Sequence, residues 1–577
     1  MTRVSVVGKV DAPSGYKNGV LNGTISLSGQ PDAGTKMSVV ISVAGEKTKT
    51  PLRKTFPVKD TLLQFTVPMT NPRLWSAEMP VLYEVKLRMT DTLGRALDST
   101  VVQAPIRSTE ERNGKLYYNG RQIWIKGMDQ STYDTAVIRR AKLYNINAVH
   151  GKPGDEGAWR KLCDQYGLYV VDDTSGFVPS LFAANGQALP MAAEVKQVNQ
   201  PVRTTTAFTK VIPGVGVRVY NNYVFRDLSH LTMEWQLVVN GVTGRRGTTA
   251  LPPIAAQQSA VVNIPVLVPA GETLLNIYYR QKKAEAMIPA GYVVAAEQLA
   301  VSNTAPSNTT LYNDVTVHPA GELTFKDEGG SFGIGSTVTG LDMQFNKQTG
   351  WLQHYAVGGR ILLNDTLGLT AGFFQIPWSD SGHTMTVWKN AGADARLQLF
   401  STSTSNDFVI VRADYMMPET GCMLHVHYTV NAKGEMQVED ILEVDTTGQP
   451  GVDTTVRLIK PPLPRMGMQW SFLPGYDSVI YYGRGPQENY ADRHAAAFAG
   501  VYRQTMEDAR PRTDVRWWKV TDKQGHGLQF SSDSAFLVMN AVPGAPAQLH
   551  IDHRQMDLAG RGLPYGNYHY IYKVTPL

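Results

Sequence analysis

A parallel α/β pattern that breaks off after a few units is the feature that most constrains how this chain can fold. The segment LYVV at 168–171 is continuously apolar, as expected of a strand that is buried on both faces. Helical spacing in 134–147 and in 155–167 alternates with the short apolar segment INAVHG at 146–151. This order predicts the opening βαβαβ of a parallel sheet. After residue 176 the alternation stops.

Short alternating strands separated by turn residues dominate the rest of the chain. Examples are LYEVKLRMTD within residues 1–107, LTMEWQLVVNG within 204–303 and CMLHVHYTV within 304–577. The 52 Gly and 33 Pro among 577 residues suit many turns. We therefore expect a mainly β, multidomain fold, interrupted by an α/β segment at 108–203.

Composition excludes several classes of partner. The net charge of +5 is spread over a long chain without a run of Lys or Arg, so we expect no nucleic-acid partner. No window approaches the roughly 18 apolar residues of a membrane helix, so we expect no membrane partner. Because the start lacks the apolar core of a signal peptide, a cytoplasmic location is favoured; a periplasmic or secreted one is expected if a signal once preceded it. Cys163 and Cys422 fall in different predicted domains, which favours buried free thiols.

Several stretches carry a resemblance to a known family. They are NPRLWSAEMPVLYEVKL at 71–87, NGRQIWIKGMD at 119–129, NINAVHG at 145–151, LCDQYGLYVVDD at 162–173 and GRGPQENYADR at 483–493. In this order they resemble the large bacterial β-galactosidases of glycoside hydrolase family 2. The resemblance implies a β-galactoside or related glycan as partner. It also implies assembly as a homo-oligomer or with a partner subunit.

The resemblance also assigns a domain type to each region. It implies immunoglobulin-like β-sandwiches at 1–107 and 204–303, and a truncated α/β (partial TIM) barrel at 108–203. It implies a large C-terminal β-sandwich of the β-galactosidase small-chain type at 304–577. The jelly roll that precedes the first sandwich in the family is expected to be missing.

The departures from the family fall on the segments that face its sugar pocket. A complete barrel needs roughly 200 residues or more, whereas the stretch between Arg107 and Arg203 has room for about three βα units. The family's two catalytic glutamates come from later barrel strands, and its magnesium and sodium ligands come from the missing parts. We therefore expect no metal site and no cofactor. Near the C-terminus, MDLAGRGLPYGNY lacks the tryptophan of the corresponding family loop.

Three acids at the predicted C-terminal edge of the parallel strands are the candidate catalytic residues: Asp129, Asp172 and Asp173. A retaining glycosidase needs two carboxyl groups about 5–5.5 Å apart, and an inverting one needs about 6.5–9.5 Å. Adjacent residues on a strand point to opposite faces, so Asp172 and Asp173 are not expected to serve one sugar together. Asp129 paired with either of them remains open, beside the simpler alternative that these acids cap a turn or are solvated.

Aromatic side chains supply the candidate substrate-binding residues. Sugars stack on exposed aromatic faces, although most tryptophans of β-domains belong to the core. Trp159, at the second predicted helix, and Trp378 with His383, in the polar stretch QIPWSDSGH, are the candidates.

Three functions follow from these observations. The first is a β-galactosidase-like scaffold that has lost the retaining double-displacement site and acts as a glycan-binding or accessory protein. The second is an active glycosidase in which relocated carboxylates, Asp129 with Asp172 or Asp173, hydrolyse β-galactosides. The third is a purely structural assembly protein.

Overall fold

The computed structural model describes most of the chain and forms two compact units. The described residues are 1–46, 50–130, 132–152, 154, 156–172, 174–207, 214–303, 323–373, 387–404, 407–444, 462–507, 510–532, 537–542, 548–557, 561–563 and 566–577. One unit comprises Met1–Gln236, Arg246–Val268 and Leu275–Leu299, and the other comprises Leu237–Arg245, Pro269–Leu274 and Ala300–Leu577.

The first region of the chain is a two-sheet β-sandwich. Its strands are β1 (Arg3–Val10), β2 (Asn18–Ser26), β3 (Lys36–Val43), β4 (Leu52–Pro57), β5 (Leu62–Thr70), β6 (Leu82–Thr90) and β7 (Ala96–Pro105). One sheet has the order β1-β2-β5 and the other β4-β3-β6-β7, with every pairing antiparallel. Alternate residues of β2 and β3, such as Leu21 and Val39, are fully buried, as the period of a half-buried strand requires.

An α/β segment follows a small antiparallel sheet. The sheet consists of β8 (Thr109–Arg112), β9 (Lys115–Tyr118) and β10 (Arg121–Gln122), and the segment contains α1 (Thr135–Leu143), β11 (Ala148–His150), α2 (Glu156–Tyr166), β12 (Tyr169–Val171) and α3 (Pro190–Val198). Strand β11 pairs in parallel with β12. Residues 123–128 run alongside them through parallel bridges from Gly127 to Ala148 and from Met128 to Val178. The predicted parallel unit and its first two helices are thereby confirmed.

Both faces of this small parallel sheet are covered. On one face Met128 and Val149 pack with the buried residues of α1 and α2, including Val137 and Ile138. On the other face the sheet packs in a cluster that includes Trp75 of the loop before β6. Residues of the first unit thus bury a face that a closed barrel would turn toward its interior.

Helix α3 is an element that the sequence pattern did not reveal. It begins at Pro190, where the fixed φ of proline suits the first helical turn, and buries Ala192 and Val195. Its first turn has no side-chain cap and no acidic residue, so Pro190 is the only one of the usual start signals that this helix carries.

Two further sheets continue the chain. Their strands are β13 (Val202–Thr206), β14 (Val215–Asn221), β15 (Leu231–Val239), β16 (Val242–Thr249), β17 (Ser259–Ile264), β18 (Glu272–Gln281) and β19 (Val293–Asn303). Their orders are β13-β14-β17 and β16-β15-β18-β19.

The C-terminal region is built on three larger sheets. Its strands are β20 (Thr324–Glu328), β21 (Ser331–Ser336), β22 (Leu341–Asn346), β23 (Leu352–Val357), β24 (Arg360–Ile361), β25 (Leu369–Gly372), β26 (Arg396–Thr404), β27 (Phe408–Met417), β28 (Cys422–Asn431), β29 (Met436–Glu443), β30 (Arg465–Ser471), β31 (Ser478–Gly485), β32 (Phe498–Thr505), β33 (Arg512–Val515), β34 (Trp517–Thr521), β35 (Gly527–Ser531), β36 (Leu537–Val542), β37 (Gln548–Gln555) and β38 (Tyr568–Pro576). The sheet orders are β20-β21-β22-β23-β24, β25-β30-β37-β36-β33 and β26-β27-β28-β29-β38-β35-β34-β31-β32. The expectation of a mainly β, multidomain fold is confirmed.

The two cysteines are free and buried, Cys163 in α2 and Cys422 at the start of β28. Among the described residues, no helix has both the length and the apolar character needed to cross a lipid bilayer.

Candidate functional site

The C-terminal ends of the parallel strands meet at one edge of the small sheet. Gly127 pairs with Ala148, and Ala148 pairs with Tyr169, so β11 lies between residues 123–128 and β12. The residues that follow the three strands, Asp129, Gly151 and Asp172, therefore share this edge. For Asp129 and Asp172 this is the position that the sequence predicts.

Asp129 lies at the end of the first of these strands. Its backbone N–H donates to the carbonyl of Val178 at 3.0 Å, which continues the parallel pairing by one residue. Met128 points into the helix-covered core, whereas the Cβ direction of Gly127 meets the ring of Phe177 on the other face. Strand alternation then places the exposed side chain of Asp129 on the Gly127 face.

Asp172 follows β12 and belongs to the opposite face. Its side chain is 83 % exposed and lies 3.5 Å from a guanidinium nitrogen of Arg160, which is on α2. Val170, two residues earlier, packs in the helix-covered core, in agreement with the alternation. Asp173 lies outside the described residues.

Asp129 and Asp172 are separated by a whole strand as well as by their orientation. With β11 between them, the two backbones are about 9.6 Å apart, twice the usual spacing of paired strands. A retaining mechanism needs two carboxyl groups on either side of one glycosidic bond, about 5–5.5 Å apart. The side chains of Asp129 and Asp172 leave opposite faces of the sheet, with one strand between them.

The connection after β11 is fixed by hydrogen bonds and by Trp159. The carboxamide of Gln130 donates to the carbonyl of His150 at 2.9 Å and accepts from its N–H at 3.3 Å. The indole N–H of Trp159 donates to the same carbonyl at 3.0 Å, and the ring packs edge-on against Tyr133. Trp159 is only 2 % exposed, so its burial corrects the expectation of a sugar-stacking residue: it belongs to the core under the edge.

The other predicted substrate-binding residues, Trp378 and His383, lie outside the described residues. Within the described part of the chain, no three His, Cys, Asp or Glu side chains come together as a metal-binding group. His425 and His427 lie on one face of β28, where their Nδ1 atoms are 2.8 and 3.0 Å from Asp414 and Glu439. These histidines take part in cross-strand pairs of a sheet surface.

A cavity of about 360 Å³ lies at the opposite, N-terminal ends of the parallel strands. It is lined by residues of the first unit only, which the sequence analysis did not select as a group. Its charged lining residues are Glu78, Lys126, Lys142, Arg203, Arg226 and Glu285. Trp124 lies on its rim and is 69 % exposed. One feature of the sequence could have indicated this cavity: Lys126 interrupts the otherwise apolar segment QIWIKGM at 122–128.

The charges of the cavity are held by specific partners. The carboxylate of Glu78 accepts hydrogen bonds from the backbone N–H groups of Val224 at 2.9 Å and Phe225 at 2.7 Å. Burial raises the pKa of Glu78, against the opposing effect of these bonds. Burial lowers the pKa of Lys126 and of Lys142 to about 8 in each case.

Three family models match the chain in consecutive regions. "Glycosyl hydrolases family 2" matches residues 3–107, "Beta-galactosidase, domain 4" matches 217–302, and "Beta galactosidase small chain" matches 337–568. The α/β segment lies between the first two matches.

Curated relatives are similar over parts of the chain. A β-galactosidase of Priestia megaterium is 27 % identical over 396 residues, which cover 65 % of this chain and 36 % of that protein. A β-galactosidase of Lactobacillus delbrueckii subsp. bulgaricus is 21 % identical over 692 residues, covering 86 % of this chain and 67 % of that protein. The chain thus spans only about a third of the length of the Priestia relative.

Solved structures give weaker likenesses. The β-glucuronidase of Parabacteroides merdae is 11 % identical with a TM-score of 0.29, covering 76 % of each chain. The three successive family matches and the similarity to β-galactosidases agree: over much of its length the chain resembles the β-galactosidases of glycoside hydrolase family 2.

Proposed function

We propose that this protein binds β-galactosides or related glycans as an accessory or assembly protein and lacks the double-displacement chemistry of retaining glycosidases. The observation that carries the proposal is the position of Asp129 and Asp172 on opposite faces of the parallel sheet, with β11 between them. Two carboxyl groups so arranged do not flank one glycosidic bond.

The exposure of Asp172 supports the same conclusion. A glycosidase's general acid stays protonated near neutral pH because an apolar pocket surrounds it. The Asp172 side chain is 83 % exposed to water, and its neighbour is the guanidinium group of Arg160. The described residues around Asp172 do not enclose it in the apolar pocket that a general acid needs.

Hydrolysis by relocated carboxylates is the second candidate. One observation favours it: Asp129 is exposed at the strand edge and forms no ion pair with any described residue. A free carboxylate at this edge suits a general base. In this candidate Asp129 works with Asp172 or Asp173.

The deciding experiment measures hydrolysis of 2-nitrophenyl β-galactoside by the purified wild type and by Asp129→Asn, Asp172→Asn and Asp173→Asn. Asp32→Asn, in an exposed turn of the first sandwich, is the matched control. We expect any residual turnover to be equal in all five proteins, which identifies it as background. Turnover lost in Asp129→Asn but kept in Asp32→Asn would contradict the proposal and establish relocated catalysis.

Binding is measured separately, by calorimetric titration with methyl β-galactoside. The proposal expects saturable binding by a protein that does not hydrolyse the glycoside. Light scattering of the same sample measures the mass in solution, and an assembly protein is expected to exceed its 63.5 kDa chain mass by a whole multiple. Absence of both binding and assembly would overturn the accessory role.

A further inference from the structure

We propose that the cavity at the N-terminal ends of the parallel strands binds a sugar acid, a monosaccharide-sized ring that carries one carboxylate. The site goes beyond the proposed function because it lies at the other end of the strands from Asp129 and Asp172. Lys126, Asn147 and Tyr169, which line the cavity, each precede the edge residues of their own strand.

The size and composition of the cavity suit a small polar ligand. Its volume of about 360 Å³ falls at the lower end of the roughly 300–1,000 Å³ range of ligand pockets. Carboxamide side chains, among them Asn199, Asn222 and Gln257, lie in its wall beside apolar residues such as Ile288. A mixed wall of this kind recognises a molecule with both hydroxyl groups and apolar ring faces.

The charged side chains of the wall leave an excess of positive charge. Arg226 pairs with Glu285 at 3.1 Å, and Arg203 lies 3.7 Å from Glu297. Three lining charges remain outside these pairs: Lys126, Lys142 and Glu78. Two ammonium groups against one carboxylate leave one positive charge unbalanced.

The two lysines retain hydrogen-bonding capacity. Lys126 Nζ donates to the carbonyl of Asn199 at 2.6 Å, and Lys142 Nζ donates to the carbonyls of Ala77 and Gly167, both at 3.0 Å. An ammonium group has three donors, so two on Lys126 and one on Lys142 are not used by the described residues. The carboxylate oxygens of Glu78, in contrast, accept hydrogen bonds from backbone N–H groups. A ligand carboxylate would therefore meet the lysines, with Lys126 as its main donor.

Trp124 supplies the surface for the ring. It is 69 % exposed on the rim, and its carbonyl accepts a hydrogen bond from the Asn147 carboxamide at 2.8 Å, which fixes its backbone. The apolar faces of sugar rings stack on exposed aromatic side chains, whose rings present large apolar surfaces. The combination of this indole with a single excess positive charge favours a monocarboxylated sugar over a neutral one.

The test is calorimetric titration of the full chain at pH 7 with three probes: D-galacturonate, D-galactose and acetate. We expect D-galacturonate to bind at least about tenfold more tightly than either of the others, since each of these lacks one of its two recognition elements. Equal affinity for galacturonate and galactose would overturn the role of the lysines. Equal affinity for galacturonate and acetate would overturn the role of Trp124.

Variants locate the site. Lys126→Met and Trp124→Ala are each expected to weaken galacturonate binding by about tenfold or more, whereas Lys54→Met, at an exposed position of β4, leaves it unchanged. Trp124→Ala alters an exposed side chain, so it remains informative if Lys126→Met fails to fold. Binding that survives both variants, or no binding to the wild type, contradicts the proposal. Asp129→Asn is expected to bind galacturonate normally, which separates this result from the test of the proposed function.

Discussion

A guanidinium nitrogen of Arg160, on α2, lies 3.5 Å from Oδ1 of Asp172, at the end of β12. The contact ties the candidate acid to the helix-covered side of the parallel sheet, away from the face of Asp129. Because the Asp172 side chain is 83 % exposed, water screens this pair strongly.

Asp172→Asn is therefore expected to change the free energy of unfolding by less than about 1 kcal/mol. Urea unfolding followed by circular dichroism measures the change, with Arg160→Met as the variant that removes the other partner. A loss of several kcal/mol in either variant would show that the pair is far more important to the fold than its exposure implies. A stable Asp172→Asn also makes this variant a fair test in the hydrolysis experiment.

Trp159→Ala is expected to cost about 3–5 kcal/mol of stability, because it empties the core beneath the strand edge and leaves the carbonyl of His150 without one of its donors. Trp159→Phe, which keeps most of the volume, is expected to cost less. Urea unfolding compares the two variants with the wild type. The outcome that would restore a sugar-stacking role is wild-type stability of Trp159→Phe together with lost binding of methyl β-galactoside.

Local patterns of the sequence were enough to predict the parallel unit. The spacing of Val137, Ile138 and Ala141 placed one face of α1 in the core, and the apolar run before Asp172 marked β12. Helix α3 escaped detection because its start has neither a capping side chain nor an acidic first turn.

The relation between Asp129 and Asp172 could not be read from the sequence. It depends on the register that sets Gly127 beside Ala148 and Ala148 beside Tyr169, and a shift by one residue would turn every side chain of a strand to the other face. The cavity could not be predicted from the sequence for another reason. Its charged residues, such as Glu78 and Glu285, come from distant parts of the chain and share no local pattern.

Because the carboxyl group of Asp440 is buried, we expect the free energy of unfolding to fall as the pH rises. Asp440 is fully buried on β29, and burial raises the pKa of its carboxyl from 3.8 to about 7. Between these values the folded protein retains a proton that the unfolded chain has released, so the stability contribution present at low pH falls as pH rises and is gone above about pH 7. Asp440→Asn carries no titrating group and lacks this dependence.

The measurement is guanidinium unfolding of the wild type and Asp440→Asn at pH 5 and pH 8, with exposed Asp477→Asn as control. The stability of the wild type relative to Asp440→Asn is expected to be on the order of 1–4 kcal/mol more favourable at the lower pH. A difference that stays constant with pH would mean that Asp440 ionises as readily in the folded protein as in the unfolded chain.

For Lys142 we expect the opposite effect at higher pH, where its contribution to the free energy of unfolding rises with pH. Burial lowers the pKa of its ammonium group from 10.5 to about 8, so between these values the unfolded chain binds more protons than the folded protein. Stability relative to Lys142→Met is therefore expected to rise from pH 8 toward pH 10. Thermal unfolding of both proteins at several pH values checks the sign, and a falling difference would contradict the burial of the charged group.

A substitution at Gly127 tests how closely other residues pack against the Asp129 face of the sheet. A Cβ added at this position would lie 2.0 Å from Cε1 of Phe177, so Gly127→Ala forces the ring or the strand to move. We expect a destabilisation of about 1–3 kcal/mol, the usual cost of overpacking. Gly157→Ala, on α2, adds the same methyl group where nothing lies within 4 Å, and is expected to be neutral or stabilising.

A double-mutant cycle identifies the ring as the obstacle. Phe177→Ala makes room for the added methyl group, so the combined variant is expected to be less destabilised than the sum of Gly127→Ala and Phe177→Ala. Urea unfolding of the four proteins gives the interaction energy. Additive costs would mean that the alanine clashes with something other than Phe177, and a tolerated Gly127→Ala would mean that this face of the sheet is open. An open face beside Asp129 would leave room for a sugar at the strand edge, and would then favour the relocated glycosidase over the accessory protein.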